Sequence, residues 1–155
     1  MVEFAYKAYK RKFADEYQTA SHKLSQRPGI LLRLRDGDGK VGFGEIAPIE
    51  SFGTESFLAA LSVCSELQEN FEYEKAICRM NLFPCVRFAL DSAHETLLRE
   101  NEPGLLKKPW PVCGLITALG DRNRIEMLLA QGYQSLKIKI GKSDFAEECR
   151  MVNAI

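Results

Sequence analysis

The chain has 155 residues, 46% hydrophobic and 27% charged, with Lys+Arg and Asp+Glu both at 21. That composition is that of a soluble globular protein with enough apolar material for a core, and a net charge of zero argues against a nucleic-acid binder, which carries a basic excess. No apolar run approaches the roughly 18 residues of a membrane span, Met1-Val2-Glu3-Phe4 shows no signal-peptide pattern, and five cysteines without a Cys-x-x-Cys pair build no zinc spacing with His22 and His94.

Free thiols in a reducing cytoplasm are the expectation. Residues 3–13 mix Phe4, Tyr6, Tyr9 and Phe13 with lysine and arginine and predict a strand, bulged near Ala8 where the alternation slips. Lys7-Ala8-Tyr9-Lys10-Arg11-Lys12 reads as its solvated face. Residues 14–28 are polar and aperiodic and predict a long loop. Ile30 to Arg35 is a second strand, Asp36-Gly37-Asp38-Gly39 a hairpin turn and Val41 to Ala47 a third strand, together an antiparallel meander. Pro48 to Gly53 is a loop. Thr54 is the expected N-cap of a helix with Phe57, Leu58, Leu61, Cys64 and Leu67 at helical spacing and Glu55 in its first turn. A shorter helix is expected over 72–80, and Pro84 opens another that carries Val86, Phe88, Ala89, Ala93, Leu97 and Leu98.

Pro103, Gly104, Pro109 and Pro111 deny both helix and central strand to the next stretch. The expected organisation is therefore a domain over 1–102, a linker over 103–111 and a second unit over 112–155. In that unit Val112 to Ile116 is a short strand, Asp121 to Gln131 a helix closed by Gly132, Ser135 to Ile140 a strand, and Asp144 to Ile155 a helix capped by Ser143 or Asp144. Strand, helix, strand, helix is the grammar of parallel βα units. Eight such units make a barrel of about 250 residues, so the fold class is an α+β domain followed by the first two βα units of a TIM-type barrel.

The chemistry concentrates in Leu136-Lys137-Ile138-Lys139-Ile140-Gly141. Alternation puts Lys137 and Lys139 on one face of the strand and Leu136, Ile138 and Ile140 on the other. Two ammonium groups on a mostly buried strand are costly unless they face a wet cavity. Neighbouring like charges also favour the neutral amine, which makes a lysine a usable base. Lys139 stands near the C-terminal end of the strand, where parallel barrels carry their catalytic groups. Spacing alone leaves a functional pair and a rim pair reaching to water equally open. Asp144, Glu147 and Glu148 read as the solvated face of the last helix.

Several stretches carry a resemblance. Gly42-Phe43-Gly44-Glu45-Ile46-Ala47-Pro48, with Phe52-Gly53 after it, resembles the third strand and "50s" loop of the enolase superfamily, muconate-lactonizing-enzyme subgroup. Thr19-Ala20 and Arg27-Pro28-Gly29-Ile30 resemble the ends of its "20s" loop, and Gly132-Tyr133 leading into the Lys-x-Lys strand resembles its second barrel strand. Within the subgroup the pattern is most similar to the o-succinylbenzoate synthase family, lyases of menaquinone and phylloquinone synthesis. Ser-His-Lys-Leu at 21–24 and Pro28 depart from the family's usual loop.

The resemblance implies a capping domain over a barrel mouth. It implies Lys139 as the general base that removes the proton alpha to a substrate carboxylate and then protonates the departing hydroxyl. Lys137 is implied as its charge neighbour, and Mg²⁺ as the ion that stabilises the enediolate. Thr19, Ser21 and Arg27 in one loop, and Phe52 and Gly53 in the other, are implied to contact a small carboxylate substrate. The family's metal ligands sit on barrel strands that these 155 residues do not include. The chain alone is therefore expected to be inactive, and to self-associate or pair with the rest of a barrel. Sibling activities (muconate cycloisomerase, dipeptide epimerase, N-acylamino acid racemase) share the lysine strand, and a non-catalytic binding or dimerisation module is the alternative from outside enzymes.

Overall fold

A computed structural model describes residues 2–18, 23–99, 110–116, 120–141 and 143–153. They fall into two compact units. In the first, strands β1 (Glu3–Gln18), β2 (Lys23–Arg35) and β3 (Val41–Ile46) form a sheet in the order β1-β2-β3. β2 and β3 are antiparallel, with Ile30 opposite Ile46 and Arg35 opposite Val41. The turn between them is held by Asp36, whose carboxylate accepts the N–H groups of Asp38 and Lys40 at 3.0 and 2.9 Å. Gly39, at φ 84°, supplies the left-handed residue that turn requires.

The expected loop over 14–28 is largely strand. β1 runs unbroken through Ala8 to Gln18, and β2 already begins at Lys23. Polarity misleads here because a strand is held by backbone hydrogen bonds to its neighbour whatever side chains it carries.

β2 buries Ile30, Leu32 and Leu34, and β3 buries Ile46, all at most 1% exposed. Helices α1 (Phe57–Glu69), α2 (Tyr73–Arg79) and α3 (Pro84–Leu98) cover that face. Ala60, Cys64, Val86, Ala89, Leu90 and Ala93 complete the core. α3 lies directly on β3 because Gly42 and Gly44 carry no side chain. A Cβ on Gly44 would stand 2.0 Å from the Ala89 carbonyl oxygen, and one on Gly42 1.9 Å from that of Ala93.

Thr54 is not the cap of α1. Ser56 is, and its Oγ accepts the Ala59 N–H at 3.1 Å, the bond from cap to third helical residue. Thr54 Oγ1 instead accepts the Ile49 N–H at 2.8 Å and closes the preceding turn. Glu55 is buried at 9% exposure and binds the start of α3, accepting the N–H groups of Cys85 and Val86.

The second unit holds β4 (Gly114–Ile116), α4 (Arg122–Ala130), β5 (Leu136–Ile138) and α5 (Phe145–Asn153). β4 and β5 are parallel, with Leu115 opposite Lys137 and Ile116 opposite Ile138. Asp121 caps α4 through the Arg124 N–H at 3.0 Å, and Gly132 follows that helix at φ 88°. Leu128 of α4 is 2% exposed and packs beside Gly114. Most of the expected linker lies outside the described residues; Trp110 and Pro111 are exposed and irregular. Among the described residues no helix is long and apolar enough to cross a membrane.

Candidate functional site

Lys137 and Lys139 are two positions apart on β5 and the residue after its end, so strand alternation points both to one face. The Lys139 N–H extends the ladder to the Ile116 carbonyl at 3.4 Å. The strand is less buried than its composition suggests. Lys137 is exposed, Leu136, Ile138 and Lys139 are half-buried, and Ile140 is 66% exposed. Among the described residues β4 alone pairs with β5, and α4 packs on β4.

The turn after the lysines is tied down from α5. Gly141 takes φ 83°, and the Glu148 carboxylate accepts the Gly141 N–H at 2.8 Å and the Ser143 N–H at 2.9 Å. Glu148 is 6% exposed, which corrects its reading as part of a solvated face. Two backbone amides satisfy the carboxylate, so its burial is tolerated. Asp144 is the cap of α5, accepting the N–H groups of Ala146 and Glu147.

In the first unit, Arg27 on β2 donates from Nη2 to the Ala47 carbonyl at 2.8 Å. Its Nε is buried and lacks a hydrogen-bond partner among the described residues. That bond joins the start of β2 to the exit of β3, the two roots of the 20s and 50s segments. Tyr9 on β1 donates to Glu45 Oε1 on β3. Burial, and then the Glu45 carboxylate, push the Tyr9 phenol above its ordinary range. A groove of about 610 Å³ opens here between Arg27, Leu31, Phe43, Glu45, Cys85 and Phe88. Burial and the nearby Glu55 raise the Cys85 thiol.

Phe52 closes a short 3₁₀ turn, Glu50–Phe52, and is 61% exposed. Gly53 follows at φ 84° and donates to the Glu50 carbonyl at 2.9 Å. This tip is a tight turn carrying one exposed aromatic ring. Thr19 and Ser21 lie outside the described residues. Lys137 and Lys139 thus share one unit, while Arg27, Phe52 and Gly53 share the other. Sequence reasoning gave no site role to Tyr9 or Glu45 and read Glu148 as solvated. In β3 the side chains of Phe43 and Glu45 are exposed, while Gly42, Gly44 and Ile46 are buried.

For a metal, the described residues offer no donor set: no three His, Cys, Asp or Glu side chains gather as a site. They do not fit Mg²⁺.

The family model described as the MenC N-terminal domain matches residues 8–97. The chain belongs to this family. The o-succinylbenzoate synthase of Thermosynechococcus vestitus is 26% identical over 155 residues, covering 99% of this chain and 47% of that protein. That of Desulfotalea psychrophila is 39% identical over 197 aligned positions, covering 99% and 53%. The MenC-family chain described here spans about half the length of the curated relatives it matches. The crystal structure of o-succinylbenzoate synthase from Thermosynechococcus elongatus, with Mg in its active site, superposes with a TM-score of 0.79 at 25% identity, covering 98% of this chain and 47% of that one. A dipeptide epimerase from Methylococcus capsulatus superposes with a TM-score of 0.80 at 16% identity, over 98% and 49% of the two chains. At that identity the likeness is one of fold. The architecture is a capping domain followed by the opening βα units of a TIM-type barrel.

Proposed function

We propose that this chain is the N-terminal part of a lyase of the o-succinylbenzoate synthase type. The observation that carries the reading is the family match over residues 8–97, with o-succinylbenzoate synthases among its relatives along nearly the whole chain. In this reading residues 1–102 cap the barrel, 103–111 link, and 112–155 begin the barrel. Lys139 removes the proton alpha to the substrate carboxylate. It then delivers that proton to the departing hydroxyl on the same face, so that water leaves and a double bond forms. Lys137 is its charge neighbour on that face. Thr19, Ser21, Arg27, Phe52 and Gly53 line the capping side of the substrate space. Arg27 holds the base of the 50s turn through Ala47, and Phe52 presents the apolar contact.

The test expresses the protein at the full length of its reading frame and follows o-succinylbenzoate formation, with dipeptide epimerisation assayed in parallel. Dehydration that disappears in Lys139→Ala supports the reading. Epimerisation without dehydration, or neither activity, overturns it.

A further inference from the structure

We infer that Glu148 is a positioning residue for Lys139; the inference rests on the reading of Lys139 as the group that moves the proton. Glu148 lies one turn into α5, yet its side chain folds back seven residues to the backbone that leaves the lysine strand. Its two carboxylate oxygens take separate amides, Oε2 that of Gly141 at 2.8 Å and Oε1 that of Ser143 at 2.9 Å. Hydrogen bonds to an ionised acceptor are roughly twice as strong as neutral ones, and these lie in a position only 6% exposed. From the sheet side, the backbone of Lys139 is held by a longer bond, 3.4 Å to the Ile116 carbonyl. N–H···O bonds cluster near about 2.9–3.0 Å.

Glu148 thus ties to α5 the backbone two and four residues after Lys139. The left-handed Gly141 turns the chain two residues after Lys139, and Glu148 sets that turn. Loosening it shifts the Cα–Cβ direction of Lys139, and with it the distance from amine to substrate proton. A displacement of about 1 Å at a reacting group costs on the order of a hundredfold in rate.

Two measurements test this. In the full-length protein, Glu148→Ala is expected to lower kcat by about a hundredfold while KM stays nearly constant, and Glu148→Gln, which keeps one acceptor, to fall between. In the 155-residue chain, amide exchange at Gly141 and Ser143 is expected to be slow and to accelerate in Glu148→Ala, while the Leu128 helix amides keep their protection. Wild-type kcat in Glu148→Ala overturns the inference, as does fast exchange at both amides in the unmodified chain. An active enzyme that keeps its rate in Lys139→Ala instead overturns the reading of Lys139, and the exchange data still report on the clamp.

Discussion

The Glu55 carboxylate accepts the Val86 N–H at 2.9 Å across 31 positions of sequence, and the Cys85 N–H at 3.2 Å. A carboxylate from the loop before α1 thus serves as the cap that α3 lacks locally, where Phe83 and Pro84 offer no side-chain acceptor. The first amides of a helix have no intrahelical partner and attract negative charge. Glu55→Ala is expected to cost about 2 kcal/mol, within the range of a lost cap and a lost charged hydrogen bond. Glu55→Gln should retain part of that. Urea unfolding measures both, and an unchanged midpoint in Glu55→Ala would contradict the assignment.

Gly44 and Gly42 let α3 approach β3 backbone to backbone. The obstacle at Gly44 is a carbonyl oxygen 2.0 Å from any added Cβ, and main chain cannot rotate aside as a flexible side chain can. Gly44→Ala is expected to cost about 3 kcal/mol or to prevent folding. Gly37→Ala, at a position with nothing within 4 Å, is expected to stay within about 0.5 kcal/mol. Thermal melts of the two variants should separate widely; similar melts would mean that the contact is readily relieved.

The meander, the Asp36–Gly39 turn, the start of α3 at Pro84 and the parallel pair were all legible, because each rests on local chemistry. Apolar alternation marks a half-buried strand, glycine a left-handed turn, and proline a first helical turn. The placement of Lys137 and Lys139 along one strand was legible for the same reason. Glu148 was not, since a glutamate early in a helix looks solvated unless its reach back to Gly141 is seen. Glu55 was read as first-turn decoration because its partners lie 30 and 31 residues on. The strand ends beyond Phe13 were hidden by polar side chains. The exposure of β5 was hidden because composition reports what a strand can bury and not what covers it.

Alkaline pH should weaken the first unit. Burial pushes the Cys64 thiol from 9.0 up to about 12. Burial, and then its 2.7 Å hydrogen bond to Asp91, lift the Tyr73 phenol from 10.0 to about 12. Both groups are held neutral in the fold and ionise first in the unfolded chain. Their contribution is complete below about pH 9 and declines as pH rises towards 12, by up to ~1.4 kcal/mol per pH unit for the buried Cys64 and by less for the solvent-screened Tyr73. Denaturant midpoints across that window should fall, and fall less steeply in Tyr73→Phe. A flat profile would contradict the shifts. Native-state alkylation should spare Cys64 and modify the exposed Cys78, Cys113 and Cys149.

The second unit carries exposed apolar side chains in number. Trp110 and Phe145 are each 81% exposed, and Val112 and Ile140 each 66%. Apolar surface beside a two-stranded sheet recruits partners. The 155-residue polypeptide is expected to self-associate in sedimentation at tens of micromolar and to dissociate on dilution. A clean monomer at every concentration would contradict this.

Lys139→Arg separates the two roles a lysine can fill. Arginine keeps the positive charge at the end of β5, but its guanidinium does not deprotonate in proteins. If Lys139 serves only as a cation for the substrate carboxylate, the full-length Lys139→Arg enzyme retains most of its rate. If it moves the proton, the rate falls by at least about a hundredfold, the scale of general acid–base catalysis. We expect the fall. The side chain is half-buried and packs at no core position, so the stability of the variant should change by no more than about 0.5 kcal/mol. Lys137→Arg, which preserves charge at an exposed position, should retain most of the activity. Equal losses at Lys137 and Lys139 would show that charge on that face, and not proton transfer at one residue, is what the strand supplies.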